Sequence, residues 1–452
     1  MRFLSFLICA AVCCGNGGAV SQADSDTSSI PAAGNPADAR YECFSPPVEI
    51  RGIWVDAKSM LNTARGVRDL VRRLHKANLN VLFPEVIARG YAVYPSKLLA
   101  RDPRFVGAPD ALAIMIREAH RLGMEVHPWV CIFRVGYTKD RGAILTAHPD
   151  WAELSSDGKE LSPTGGLWLS PCVPAARDFM AGLFAELVRC YDIDGLHLDY
   201  IRYQNDSYGH GDASRALFKK QYGYDPSEVQ PATISQYEWA KFRARQVNTF
   251  VQRIALQTRS IKPWVKISAA VGSEPKSARL GLMQNWANWV DNKWVDFLCP
   301  MAYSSKDDYF GRLMLREKEA VAGRTLLVPG IGFFQQKDPQ QMVRQIGIAR
   351  GLGAAGQVLF SSSYLKGPQS DALKTPYARP AMLPFRDVGA SINSLCYERQ
   401  RLAALGRQKE LDYAARACAD LVEYARYQCE KIRYVPPTEL PLQITPYSDG
   451  GN

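Results

Sequence analysis

Histidine is scarce in this 452-residue chain, six in all. None stands at ligand spacing, which argues against a metal-dependent polysaccharide deacetylase, since that chemistry gathers His and Asp around an ion. No CxxC pair occurs, so no structural zinc site is expected. No Gly-rich phosphate loop follows the first apolar segment, which counts against a dinucleotide fold. No apolar run is long enough to cross a bilayer, and no low-complexity block dominates. No nucleic-acid motif accompanies the net charge of +10. Its scattered basic residues read as solvated helix faces, with at most a weak attraction to a polyanionic envelope surface.

The sequence does contain a leader pattern. "MRFLSFLICAAVCCGNGGAVSQA" sets one Arg before an apolar run and then small residues, the layout of a secretory signal peptide over 1–23. An exported protein, periplasmic or secreted, is expected. Lipoprotein anchoring through Cys14 fits less well, because Ala11-Val12-Cys13 makes a poor lipobox. Residues 24–47 are rich in Ser, Ala, Pro, Asp and Gly and read as a flexible linker. Eight cysteines remain after the leader, an even number that permits disulfides in an oxidising compartment.

From Glu49 onward, short apolar runs alternate with amphipathic stretches. The runs are 50–56, 80–86, 125–133, 195–201, 265–272, 295–303, 326–334 and 356–365. No hairpin turn joins neighbours, which indicates a parallel sheet. Eight such units predict an α/β fold of the (β/α)8, or TIM, barrel type over 48–384. The segments after several strands are long (87–108, 134–172, 202–232 and 273–282), so insertions gather on the face where barrel enzymes carry their sites. Residues 385–452 read as a small helical appendage and a Pro-rich tail.

The stretch "DGLHLDYIRY" (194–203) carries the chemistry. Strand alternation turns Leu196 and Leu198 outward to the helices, and His197 and Asp199 inward, with Asp199 last, at the rim. Burying an unpaired carboxylate is costly, so Asp199 is read as a catalytic group, with a structural ion pair to Arg202 as the plainer reading. Other strand ends share this character. They supply Trp54 and Asp56 with Arg51 nearby, Glu85, His127 and Trp129 followed by Arg134, Glu274, and Tyr303. Aromatic rings stack on sugar faces and polar groups bind hydroxyls, so Arg51, Trp54, Asp56, His127, Trp129, Arg134, His197, Tyr200, Arg202 and Tyr303 are candidate contacts to a polysaccharide. Glycosidic hydrolysis needs two carboxyl groups and no cofactor. Asp199 is the first, Glu274 the preferred acid and Glu85 its rival. A non-catalytic glycan-binding barrel is the alternative.

The blocks "EIRGIWVDA", "LNVLFPEVIARGYAVYPS", "GMEVHPWVCIFRVG", "YDIDGLHLDYIRY", "ISAAVGS" and "VDFLCPMAY" occur in order, and the chain resembles the bacterial glycosyl hydrolase-like ten family over about residues 48–365. That resemblance implies a barrel and an exported hydrolase of envelope or extracellular glycans, one member type of which cleaves peptidoglycan strands lacking stem peptides. Laid on a chitinase-type signature, Ile201 falls where the proton-donating Glu would stand. On an α-amylase-type strand four, Asp199 falls on the nucleophile, and the acid at the end of strand five falls on Glu274.

Overall fold

The computed structural model describes residues 43–60, 63–336 and 338–429. The expected leader, nearly all of the expected linker and the Pro-rich tail lie outside the described residues. Eight strand positions form the barrel: β1 (Ile50–Val55), β2 (Val81–Ala88), β3 (Glu125–Val126 with Trp129–Cys131), β4 (Gly195–Asp199), β5 (Lys266–Val271), β6 (Phe297–Pro300), β7 (Leu326–Leu327 with Gly330–Ile331) and β8 (Gly356–Phe360). All neighbouring pairs are parallel. β7 pairs with β6 through its first half and with β8 through its second. The ring therefore closes across Val328-Pro329, where Pro329 has no N–H to offer a ladder.

The helices are α1 (Ala64–Lys76), α2 (Ala111–Arg121), α3 (Pro174–Cys190), α4 (Ile234–Ile261), α5 (Trp286–Asp291), α6 (Asp307–Val321), α7 (Pro339–Gly351) and α8 (Pro368–Ala372). Their starts are written locally. Thr63 accepts from the Gly66 N–H and Asp110 from the Ala113 N–H, each satisfying a donor that the first helical turn leaves free. Val67, Leu70, Val71 and Leu74 form the buried stripe of α1.

The period-2 alternation of the strands sorts two apolar layers. Ile53, Leu82, Val130, Leu196 and Leu198 face the helices. Trp54, Phe83, Trp129, Cys131, Phe297, Cys299 and Val358 fill the barrel. Gly195 is required at its position because a Cβ there would stand 2.2 Å from Nδ1 of His127.

At the end of the barrel where the strands begin, Arg51 and Arg350 hold Glu49 in a buried network, with Nε to carboxylate distances of 2.7 Å each. The carboxy-terminal helices α9 (Val388–Ala404) and α10 (Gln408–Cys429) pack there as well. Leu395, Cys418, Leu421 and Tyr424 join Val48, Leu326 and Phe385 in the inner apolar cluster, and Phe385 stacks on Phe297 at 5.4 Å. This hairpin plugs the floor of the barrel. Among the described residues Cys43, Cys131, Cys172, Cys190, Cys299, Cys396 and Cys429 are free thiols.

The opposite end stays open to the strand-to-helix loops. After β2, Tyr91–Ala92 folds back antiparallel on β2. After β3, a hairpin pairs Arg134–Tyr137 with Gly166–Trp168. After β4, an insertion carries the helix Asp212–Tyr222.

Candidate active site

Three carboxyl groups stand on the loop-bearing end of the barrel: Asp56 just after β1, Glu85 on β2 and, beyond the intervening β3, Asp199 at the end of β4. Asp199 is 5% exposed. Its Oδ2 accepts from the Trp129 indole at 3.0 Å, and its Oδ1 accepts from the Tyr200 N–H at 2.6 Å and from Arg202 at 3.3 Å. Tyr200 takes a left-handed φ of 49°, a conformation that costs a bulky residue on the order of 1 kcal/mol or more. That turn folds its own N–H back onto Asp199. The ring of Tyr200 then lies between Arg134 and Arg202, at 5.2 and 4.6 Å, and its hydroxyl accepts from Arg134 at 2.9 Å.

Glu85 lives in a different setting. Its Oε2 accepts from the Ala57 N–H at 3.0 Å and its Oε1 receives a weak contact from the Cys131 thiol at 3.7 Å. Burial, reinforced by the charges of Asp56 and Asp199, raises its pKa to about 7, against the pull of the Ala57 N–H. Glu85 therefore keeps its proton through much of the neutral range. Asp56 is held by the Ser361 hydroxyl at 2.7 Å. On the intervening β3, Trp129 pairs in register with Glu85 and Cys131 pairs with Asp199, so Glu85 and Asp199 stand two strands apart and two residues offset, on the order of 10 Å at the backbone. Their side chains converge toward the barrel axis.

One wall of the mouth is aromatic. Tyr303 contacts Trp54, Phe360 and Phe334 at 6.3, 5.5 and 5.7 Å. Phe334 and Tyr364 meet at 5.9 Å and are both exposed. Gly332 lets Tyr303 lie against the backbone, since a Cβ there would come within 2.8 Å of the ring. Burial and the negative charge of Asp199 push the Tyr303 phenol well above its ordinary value.

The structure brings Asp56, Glu85, Trp129, Arg134, Asp199, Tyr200, Arg202 and Tyr303 together and separates the others. Arg51 sits one residue out of phase with Trp54 and so faces the helices, at the floor, tied to Glu49 and backbone carbonyls. His127 and His197 do face inward, but beneath the mouth. Nε2 of His197 accepts from the Trp54 indole and Nδ1 lies 2.9 Å from Ser268, and burial holds this imidazole neutral. His127 is buried against Glu125 and Phe83. Trp54 is a core residue whose indole serves His197. As expected substrate contacts, Arg51 is corrected by the phase of its strand, and Trp54, His127 and His197 by depth in the barrel, which alternation alone does not give.

Glu274, the preferred acid, does not join Glu85 and Asp199. It is the N-cap of the helix Pro275–Gly281, accepting from the Ser277 N–H at 2.7 Å, and that bond lowers its pKa. Sequence reasoning passed over Phe360, Ser361 and Tyr364. The signal was present in "LFSSSYL", since the eighth apolar run ends at the same rim as the others.

The model of the family described as Glycosyl hydrolase-like 10 matches residues 49–324. The chain is similar to Glycosyl hydrolase DigH of Escherichia coli strain K12, with 24% identity over 411 residues, 75% of this chain and 88% of that protein. It is also similar to Glycosyl hydrolase YngK of Bacillus subtilis strain 168, with 25% identity covering 74% of this chain and 73% of that protein. Among solved structures, the PgaB (BpsB) glycoside hydrolase domain from Bordetella bronchiseptica superposes with a TM-score of 0.60 at 16% identity, covering 73% of this chain and 98% of that one. An α-L-fucosidase isoenzyme from Paenibacillus thiaminolyticus gives 0.56 at 16% identity, over 73% of this chain and 49% of that one. These two likenesses are of fold.

Proposed function

The chain belongs to the glycosyl hydrolase-like 10 family, and we propose that it hydrolyses glycosidic bonds with Glu85 as proton donor and Asp199 as the carboxylate that attacks the anomeric carbon or activates water. The observation that carries this reading is the contrast between the two groups. Glu85 is half-buried, with one backbone donor and a weak thiol contact, and raised to about 7, while Asp199 has three hydrogen-bond donors on its oxygens. Two carboxyl groups placed in opposed environments divide acid and base roles between them. Proton transfer to the leaving oxygen is what a neutral glycoside requires, and the departing charge falls on an atom that a protonated Glu85 serves.

Asp56 sustains this arrangement from behind, because its charge raises Glu85. Tyr303 and the exposed Phe334 and Tyr364 offer ring faces for sugar stacking. Arg134, Tyr200 and Arg202 offer polar groups on the other side of Asp199. The substrate class we infer is a polysaccharide of the cell envelope or extracellular matrix, met by an exported protein. The leader pattern and net positive charge support that part.

Release of reducing ends from envelope polysaccharides tests the assignment. Asp199→Asn and Glu85→Gln should each lower kcat by about a hundredfold to ten-thousandfold. On an aryl glycoside whose leaving group needs no proton, Glu85→Gln should regain most of its rate in the first chemical step, and Asp199→Asn should not. Equal loss on both substrates would remove the acid role from Glu85. Retained polysaccharide binding with no turnover by the unmutated protein would establish the glycan-binding barrel instead.

A further inference from the structure

A groove of about 960 Å³ opens beside the β4 insertion and shares none of its lining with the carboxyl cluster. One side is the loop that leaves Asp199, from Asp206 to His210. The second is the start of α4, with Tyr237 and Trp239. The third is the helix Pro275–Gly281, through Lys276 and Leu280. Glu274 is thus explained by what it builds, since its capping bond fixes a wall of this groove.

The lining is made for a ligand with both ring faces and hydroxyls. Tyr237, at the start of a long helix, lines the groove and is 59% exposed, with Lys241 5.9 Å from its ring. His210 lies 5.3 Å from Trp239 and its ring makes no hydrogen bond to the described residues. Burial beside Arg243 lowers its pKa to about 4, so near neutrality it presents one donor and one acceptor. The indole N–H of Trp239 and Nε of Arg243, both on residues that line the groove and are nearly fully buried, have no partner among the described residues. The volume falls in the range of small-molecule sites, and the path from the carboxyl cluster follows one continuous loop, Tyr200 to His210.

We propose that this groove is a distal saccharide-binding subsite that holds the polymer substrate several sugar units from the bond being cleaved, with Tyr237 as the stacking platform and His210 as the hydroxyl partner. The inference rests on the reading of the mouth as a glycan site. It commits the enzyme to chains long enough to span from Asp199 to Tyr237.

Binding measured without turnover separates this proposal from the hydrolase assignment. The full-length Asp199→Asn protein is titrated with peptide-free peptidoglycan strands and with chitosan as polymers, and with chitotriose as a short ligand. Adding Tyr237→Ala should weaken binding of at least one polymer about tenfold, the equivalent of one ring contact of about 1.4 kcal/mol, and chitotriose less than twofold. His210→Ala should act in the same direction. Trp264→Ala, an exposed aromatic outside the groove, is the control and should change neither. Unchanged polymer binding in Tyr237→Ala, or equal loss on polymer and trisaccharide, overturns the subsite. No polymer bound by the Asp199→Asn parent counts against the subsite and the glycan reading together. Hydrolysis that fails in the unmutated protein while length-dependent binding persists overturns only the catalytic assignment.

Discussion

Replacing Glu85 with Gln should cost activity and add stability, with a pH dependence that identifies the group. Gln keeps the shape and the oxygen that accepts from the Ala57 N–H but has no charge to bury. In the folded protein the Glu85 pKa is raised from 4.5 to about 7, whereas the unfolded chain restores the ordinary value. Below pH 4.5 both states hold the proton, and the group leaves stability untouched. Between pH 4.5 and about 7 the folded protein keeps a proton that the unfolded chain releases, so stability falls as pH rises. Above about 7 the loss levels off near 3 kcal/mol, at about 1.4 kcal/mol per tenfold change in proton affinity. Glu85→Gln escapes that loss. The difference in unfolding free energy between variant and unmutated protein, from denaturant titration, should be near zero at pH 4.5 and should grow to about 3 kcal/mol in the variant's favour by pH 8. Over the same range kcat/KM of the unmutated enzyme should fall along an alkaline limb near pH 7, a limb absent from the residual activity of Glu85→Gln. A stability difference that is flat with pH would show that Glu85 is not held protonated, and the proton-donor assignment would go with it.

Other substitutions separate chemistry from scaffolding. Asp199→Asn should abolish turnover while its thermal midpoint stays within a few degrees, because the one amide oxygen still accepts from the Tyr200 N–H and only the Trp129 bond to the other oxygen is lost; unfolding would recast Asp199 as a structural partner of Arg202. Glu274→Gln should lose up to about 1 kcal/mol of stability as a weakened helix cap and keep kcat on short glycosides within about threefold. A collapse of kcat would return Glu274 to the reaction. Arg350→Met should destabilise by about 3–5 kcal/mol, since it leaves Glu49 buried with half its partners, with KM unchanged in whatever fraction folds. Mildly acidic buffer should stabilise the unmutated protein, since Glu153 and Glu317 are raised by burial to about 7 and about 8 and lose stability over the same window as Glu85. A midpoint that rises from pH 5 to pH 8 would contradict these three shifts.

The barrel was legible because each strand's apolar run has a period and each helix a stripe. Leu196 and Leu198 facing the helices, with His197 and Asp199 facing in, follows from alternation and is what the structure has. What alternation lacks is height. His197 and Asp199 share a face, yet one is locked to Trp54 and Ser268 in the core and the other stands at the mouth. Arg51 is a different case: alternation itself, at three residues from Trp54, puts it against the helices. Glu274 was misjudged for another reason. "SEPKS" sets Glu before Pro at a helix start, and a side-chain oxygen followed by Pro at the first helical position is the pattern of an N-cap. Reading that local signal would have freed Glu274 from the catalytic pair. The floor helices could not be placed from sequence, because Leu395, Leu421 and Phe385 meet Phe297 and Leu326 only through the closed ring.

A raised pKa does not by itself mark the site, and the three glutamates that have one show why. Glu317 meets the Ser273 hydroxyl deep between β5 and α6. Glu153 is buried under the β4 insertion, accepting from the Leu154 N–H. Neither has another carboxylate among the causes of its shift. Glu85 has two, Asp56 and Asp199, and it is the one of the three that is not fully buried. A fold can stabilise a lone protonated carboxyl as a hydrogen-bond donor. It gains nothing in stability from crowding three acids around one opening, because each charge added there raises the cost of the next. That cost is borne where a proton must be held ready to leave, and this is the physical ground for assigning the reaction to Glu85 and Asp199 rather than to the deeper glutamates.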